Sequence, residues 1–445
     1  MQNSVHNARQ NPGQNGQSPL QNPGKVKPLA QGGVAVYESP SPASLYCYSP
    51  GIEVLPSGRL VVTMDLGGPG VKELEGPKTS NVAPKYGQGK VFTSDDGGVV
   101  WTHRHDFPFK WARPFLVGGS LYILGVDRDI LIIRSDDEGE SWTSPYSLTE
   151  GQSWHQAPGN VWYANEFVYL VMEKRTSHQI EGWYVGELAP ILMKASIHSD
   201  LTNPTSWIFA SELSFADALD VQQLDHFGVP FYPALKDRST ATASSSGRDC
   251  APLGWLESHV IQIVDPHHYW HDPSGRTFHL WMRAHTGGTG YAAMVKVVEQ
   301  PDGTMETLLE HVPSGKSIVY VPCPGGQMKF HIIYDTPSGM YWLLSSQATD
   351  SMTRAEKLPS NRYGLPNNER HRLQLHFSRN MIDWCFAGLV DAGETPEHSR
   401  HYASMAVDGQ DLLIASRSGN ERAKDAHNGN LITFHRIQQF RDLVY

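Results

Sequence analysis

The chain is poor in cysteine. Four occur in 445 residues, Cys47, Cys250, Cys323 and Cys385. They stand far apart and form no CxxC pair, so neither a disulfide framework nor a metal-type cysteine pair is written here. They read as partly buried free thiols. Long hydrophobic runs are missing too, and nothing approaches the roughly 18 to 20 apolar residues of a membrane span. A basic excess is missing. The net charge is −10, which argues against a nucleic-acid partner, because phosphate binding needs a basic face. Helical periodicity is scarce. The opening "MQNSVHNARQNPGQNGQSPLQNPGK" lacks the apolar segment of a secretory signal. Its Asn, Gln, Pro and Gly predict a disordered tail over residues 1–33. Such tails can follow a removed signal peptide, so a secreted or periplasmic location is expected, with the cytoplasm as the alternative.

Turn formers and aromatics are abundant: 41 Gly, 30 Pro, 12 Trp and 18 Tyr. Short hairpin signals recur, each an apolar strand, a Gly- or Asn-containing turn and a second apolar strand. They fall at residues 51–65, 114–127, 159–175, 267–283, 330–346 and 405–417. The first two are followed by nearly identical turns, "SDDGGVVW" at 94–101 and "SDDEGESW" at 135–142. Looser forms follow the third and fifth, "SDLTNPTSW" and "SRNMIDW". A repeated hairpin-plus-strand unit predicts an all-β propeller. Six four-stranded blades are expected over residues 34–445 as one domain, or seven if the gap from 208 to 255 holds another. "GGVAVYESPSP" near the start is expected to supply the strand that closes the ring.

The Ser-x-Asp-x-Gly-x-x-Trp turns resemble the Asp box of the sialidase-like β-propellers. That resemblance places them on the blade periphery, as scaffold. Within the turn, Asp96 and Asp137 can accept backbone N–H bonds, Gly98 and Gly139 permit positive φ, and Trp101 and Trp142 plug the space between strands.

Ligands of a propeller bind at one mouth of its central channel. Aligning the hairpins on their second strands places Asp65, Asp127, Glu173 with Arg175, Arg283, Ser346 and Arg417 at equivalent strand ends. Arginines converging from different blades would clamp a carboxylate bidentately. Sialidases use an arginine triad in this way, so the resemblance implies an acidic sugar. No Arg-Ile-Pro stands near the first blade, which departs from true neuraminidases.

"SWHQAPGNVWYANEFVYLVMEKR" and "VLPSGRLVVTMDLGGPG" are similar to segments of the ulvan lyase and rhamnosyl-glucuronate-cleaving propellers. By that resemblance His155 would exchange a proton at a uronic acid, assisted by a Tyr and an Arg. An imidazole titrating near neutrality suits the task. Two departures stand out: Lys174 and Met64 occupy positions where those relatives carry His. In "GWLESHVIQIVDPHHYWHD", Glu257 could be a general acid, or the partner of a Tyr nucleophile as in sialidases. His268 and His271 with Cys250 raise a zinc alternative. The C-terminal third is dense in polar loop residues, among them Asp350, Arg354, Arg362, Arg370, His427 and Asn430.

The function expected is therefore a sialidase-like exo-glycoside hydrolase acting on an acidic, uronic or ulosonic acid-containing glycan. The catalytic candidates are His155, Glu257, Glu173, Asp65 and Tyr402. Substrate binding is expected from Arg113, Trp154, Arg175, His259, Arg283, Arg400, His401 and Arg417. No cofactor is expected, a structural zinc or calcium being the alternative. A β-eliminating lyase built on His155 is the second reading, and a glycan-binding propeller without catalysis the third.

Overall fold

The structure is a computed structural model. It describes residues 26–445 except 81–85, 181–183, 220–242, 246–247, 251–253, 286–288, 352, 354–356 and 359–368; for 243–245 and 248–250 only the backbone is described. The chain forms six antiparallel blades around a central axis, with almost no helix. In each blade the first strand faces the axis. Blade 1 comprises Tyr46–Val54, Leu60–Gly67, Gln88–Ser94 and Thr102–Phe107. Blade 2 comprises Lys110–Val117, Ser120–Asp127, Asp129–Ser135 and Tyr146–Ser147. In blade 3 the inner strand is split into Trp154–His155 and Trp162–Ala164, both paired with Phe167–Arg175, followed by Leu188–Ser196 and Trp207–Phe209. Blade 4 runs Gly254–Ile261, Thr277–His285, Tyr291–Glu299 and Met305–Leu308. Blade 5 runs His331–Asp335, Met340–Ser346, Arg372–Ser378 and Cys385–Ala392. Blade 6 runs Arg400–Asp408, Asp411–Ser418 and Leu431–Ile437, and the N-terminal strand Val34–Glu38 completes it.

Two expectations need correction. The fourth hairpin begins earlier than residue 267: its inner strand is Gly254–Ile261, and the histidine-rich 267–271 forms turns. Among the described residues there is no seventh blade. The described part of the 208–255 gap holds the end of blade 3, a short helix Phe215–Ala218, the ribbon Ala243–Ser245 with Arg248–Cys250, and the start of blade 4. The expected tail lies, through residue 25, outside the described residues. Leu29 and Ala30 already donate backbone bonds to blade 5, at Leu389 O and Val390 O.

The core lies between blades. Apolar side chains of one sheet face meet those of the next, as in Phe115, Tyr122 and Leu124 of blade 2 against Leu170, Met172 and Ile191 of blade 3. Trp255, Trp281 and Trp342 are fully buried in blades 4 and 5. Large flat side chains fill the wedge between radiating sheets.

The repeated turns share one bonding pattern. Asp96 Oδ1 accepts the backbone N–H groups of Val99 and Val100, Ser94 Oγ accepts that of Gly98, and the Trp101 indole donates to Gly98 O at 3.0 Å. In the second copy Asp137 accepts Ser141 N, Ser135 accepts Gly139 N, and Trp142 donates to Gly139 O at 3.1 Å. Gly98 has φ +96°, and a Cβ there would lie 2.2 Å from the Phe434 ring. The turn thus needs glycine both for its conformation and for its contact with blade 6. The degenerate copies keep the logic with changed parts: Asn380 replaces the aspartate and accepts Ile382 N and Asp383 N. Asp96 and Asp137 are exposed and serve their own turns. Asp96→Ala should therefore lower the unfolding midpoint, because the backbone N–H groups of Val99 and Val100 lose their acceptor. Urea unfolding would show this, with any activity of the folded protein unchanged.

Candidate functional site

The inner strands of four blades carry the same irregularity. Their pairing register shifts between Tyr48 and Gly51, Lys110 and Arg113, Leu256 and His259, and His401 and Ser404. At each shift one non-glycine residue sits at left-handed φ: Ser49 at 47°, Trp111 at 58°, Glu257 at 59° and Tyr402 at 51°. A bulge of this kind re-aims a side chain. Here it brings Glu257 of blade 4 and Tyr402 of blade 6 together.

The Tyr402 hydroxyl donates to Glu257 Oε1 at 2.6 Å. Arg283 Nη1 donates to the Tyr402 oxygen at 2.8 Å and lies 3.4 Å from Glu257 Oε2, while its Nε is held by Gln327 O at 2.8 Å. Two more guanidinium groups flank the tyrosine. Arg417 lies 5.2 Å from its ring centre and 4.1 Å from that of Tyr48. Arg370 lies 5.8 Å from the Tyr402 ring, and its Nη1 bonds His401 Nδ1 at 3.1 Å. All three arginines are buried. Arg417 Nε finds no partner among the described residues.

Burial raises the Tyr402 hydroxyl above the ordinary phenol range, the Arg283 charge working against the rise and Glu257 adding to it. Burial opposes the Arg283 charge, but Tyr402 and Glu257 overcome it and hold that guanidinium above its usual value. Burial pulls Arg370 down to about 10, so it stays cationic at neutrality. His401 and His427 are held well below the ordinary imidazole range by burial first and then by Arg417 and Arg370. They are neutral neighbours of the cations. This cluster therefore concentrates positive charge around a tyrosine–carboxylate pair, an arrangement that attracts an anion.

The other candidate residues fall elsewhere. His155 is buried, with Nδ1 2.9 Å from Glu173 Oε2 and its ring 4.6 Å from that of Trp111. Glu173 Oε1 accepts Ser258 N at 2.8 Å, one residue beyond Glu257. Asp65 Oδ1 accepts Trp111 N at 3.0 Å. Both carboxylates thus pin a bulge on the following blade. Asp127 binds Ser80 N at 2.8 Å. Arg113 is buried along the axis, donating to Val171 O at 3.0 Å, and His259 stacks on Phe330 at 5.0 Å.

Three residues expected to bind substrate have other duties. Arg175 is bound to Glu187 at 2.9 Å and to the carbonyls of Ser177 and Ile180. Arg400 is bound to Asp391 at 2.6 Å and to two carbonyls. Trp154 is core, packed between blades 2 and 3. The zinc candidates His268 and His271 bond the carbonyls of Asn380 and Ile263. The side chain of Cys250, like Arg354 and Arg362, lies outside the described residues. Among the described residues no group of three or more His, Cys, Asp or Glu is arranged to hold a metal. No helix among them is long and apolar enough to cross a membrane.

Tyr48 and Lys329 also shape this centre, and neither stood out in the sequence. Tyr48 underlies Arg417. Lys329 Nζ donates to Ser404 Oγ at 2.9 Å and to Ala403 O, and burial brings it down to about 7. Arg370 was visible only as one of many polar loop residues; "ERHR" immediately before a strand was its signal.

No family model matches the chain. A segment of 77 residues, 17% of the chain, is 32% identical to vacuolar protein sorting/targeting protein 10 of Neosartorya fischeri, and that match spans 4% of the relative's length. Among solved structures, a protein of unknown function from Dyadobacter fermentans superposes with a TM-score of 0.50 at 12% identity, over 93% of this chain and 99% of that one. The Hadza microbial sialidase Hz136 superposes with a TM-score of 0.50 at 13% identity, over 91% of this chain and 68% of that one. The chain is a six-bladed β-propeller and shares that fold with these two structures.

Burial pushes the Asp65 carboxyl up to about 6, against the opposing pull of Trp111 N–H, Lys110 and Arg417. An unfolded aspartate titrates near 3.9. The fold thus favours the protonated form, and that contribution is complete below about pH 4 and lost as pH rises through about 6. Between pH 4 and 6.5 the protein should lose on the order of 2–3 kcal/mol relative to Asp65→Asn. Parallel denaturant titrations test this, and identical pH responses would refute it.

Proposed function

We propose that this propeller is a retaining exo-glycoside hydrolase that removes a terminal acidic sugar, of the ulosonic or uronic acid class, from a glycan. The observation that carries the reading is the 2.6 Å Tyr402–Glu257 bond set among Arg283, Arg370 and Arg417. Three guanidinium groups suit a carboxylate better than any neutral group, because each presents a planar fork of donors. The unpartnered Nε of Arg417 fits a ligand oxygen.

A carboxylate-bearing sugar also explains the nucleophile. An aspartate or glutamate attacking beside the substrate's own carboxylate would meet like charge at short range. A tyrosine is neutral until it reacts, and sialidases are exceptions to the two-carboxylate scheme for this reason. In this reading the Tyr402 oxygen attacks the anomeric carbon and passes its proton to Glu257. The bond from the anomeric carbon to the leaving oxygen breaks, and that oxygen takes a proton from Asp65. Water then attacks the tyrosyl–sugar bond, Asp65 taking its proton and Glu257 returning one to Tyr402. Arg283, bonded to the tyrosine oxygen, stabilises phenolate character as it develops. Asp65 suits the acid role because it titrates near 6 and shares the field of Arg417 with Tyr402. No step calls for a metal. A secreted or periplasmic location fits a glycan substrate.

The lyase reading has less support, since His155 is buried and tied to Glu173. The hydrolase test is a panel of fluorogenic glycosides: an ulosonic acid ketoside, a glucuronide and neutral sugars. Turnover of an acidic glycoside should fall by at least about a thousandfold in Tyr402→Phe, the scale of losing a nucleophile. Arg370→Ala should raise KM by about tenfold to a hundredfold for acidic sugars, as a lost charged hydrogen bond would. An unsaturated uronate product, lost in His155→Ala, would replace this mechanism with elimination. Glycan binding without turnover would leave a lectin.

A further inference from the structure

The axial channel has a second, separate chamber at its opposite end. The inner strand Arg400–Asp408 passes from one to the other: Tyr402 faces the first, while Met405, Ala406 and Val407 line the second. Ser404 stands between them. Its hydroxyl lies 2.7 Å from Pro50 O and receives Lys329 Nζ at 2.9 Å, so strands of blades 1 and 6 and the entry to blade 5 are tied across the axis.

The second chamber has a volume of about 420 Å³. Its wall is largely aromatic and aliphatic, with Trp162 and Tyr163 from blade 3, Ile333 and Tyr334 from blade 5, and Met405 from blade 6. Glu53, from the inner strand of blade 1, is the only carboxylate in that lining, and no lysine or arginine lines it. Glu53 Oε1 accepts the N–H of Val54 at 3.0 Å, and no ion pair to Glu53 occurs among the described residues. Across the sheet its register partner is Val61.

We propose that this chamber binds a small organic ammonium ion, with Glu53 as counter-ion and Trp162, Tyr163 and Tyr334 packing on the carbon skeleton. A carboxylate held in apolar surroundings is costly when ionised alone and is stabilised by an opposite charge that enters with it. Aromatic faces add cation–π attraction and match an alkyl or aryl amine. The chamber is large enough for such a molecule, and none of the three arginines of the Tyr402 site lines it.

Burial pushes Glu53 up to about 7, so without a cation beside it the carboxyl is partly protonated at neutrality. Ammonium binding then requires the carboxylate, and affinity should rise by about tenfold from pH 6 to pH 8. The other titratable groups facing the chamber are His331, Tyr163 and Tyr334. Burial holds His331 well below the ordinary imidazole range and both tyrosines stand above the ordinary phenol range, so none of the three changes charge in that window, whereas Lys329, bonded to Ser404 behind the chamber, is brought down to about 7 and is separated from Glu53 by the Glu53→Gln comparison.

The full chain would be titrated with benzylammonium, and with benzyl alcohol and methyl glucoside as neutral probes, by calorimetry and by Trp fluorescence. Benzylammonium should saturate one site, bind about tenfold tighter at pH 8 than at pH 6, and bind equally to Tyr402→Phe. Glu53→Gln should weaken it at least tenfold and abolish the pH dependence. Ile333→Trp, which narrows the chamber from its blade 5 wall and leaves the Glu53 carboxylate in the chain, should also abolish binding and serves if Glu53→Gln does not fold. Absence of saturable binding, equal binding by the folded Glu53→Gln or Ile333→Trp protein, or equally tight binding of a neutral probe would overturn the proposal.

Discussion

Everything at the Tyr402 mouth depends on a backbone conformation that its residues do not favour. A left-handed φ on a non-glycine residue costs about 1–2 kcal/mol. The chain adopts it at Ser49, Trp111, Glu257 and Tyr402, at the same place in four inner strands. Regular strands would point alternate side chains into the blade faces. The bulge instead swings one side chain out of that alternation and over the axis. Two of the four bulges are held from the preceding blade, by Asp65 accepting Trp111 N and Glu173 accepting Ser258 N. Buried carboxylates that looked catalytic by position thus have a mechanical role first.

The same centre is held together by an uneven charge balance. Arg283, Arg370 and Arg417 are buried together, with Glu257 beside Arg283 and Asp65 within the field of Arg417. Isolated buried cations are unfavourable, and neighbours must compensate. Part of the compensation is aromatic: Tyr48 and Tyr402 present ring faces to Arg417. Part is carbonyl oxygen, from Gln327 for Arg283 and His427 for Arg417. Part comes from His401 and His427, which stay neutral and add no further positive charge.

Local features were legible in the sequence and partnerships were not. The turns around Asp96 and Asp137 are complete within eight residues, so their spacing discloses their bonding. Strand ends identified Arg283 and Arg417 because blade periodicity puts equivalent positions at one mouth. The same periodicity also pointed to Arg175, and Arg400 was expected at the site from its place beside the last hairpin. Their partners Glu187 and Asp391 sit on connecting or outer segments, where no periodic rule predicts a meeting. Trp154 looked like a mouth aromatic because it precedes His155, yet strand alternation sends it into the core. Blade 4 misled for another reason. Its inner strand follows a segment without hairpin signals, and "HHYWHDPSG" reads as a strand entering a turn.

Closure by the segment Val34–Glu38 has a consequence in time rather than in space. Val34 pairs with Phe434, about four hundred positions later. At about 5–20 residues per second, a ribosome needs tens of seconds between making the first of these partners and the last. Throughout that interval the ring stays open, and the sheet face of blade 1 that packs on Leu413, Ala415 and Phe434 lacks its cover. The nascent chain must carry an exposed apolar flank and an unpaired strand until the segment Leu431–Ile437 has been made. Chaperone dependence and temperature sensitivity of folding would therefore concentrate at this one seam, while the five other junctions assemble in the order they emerge.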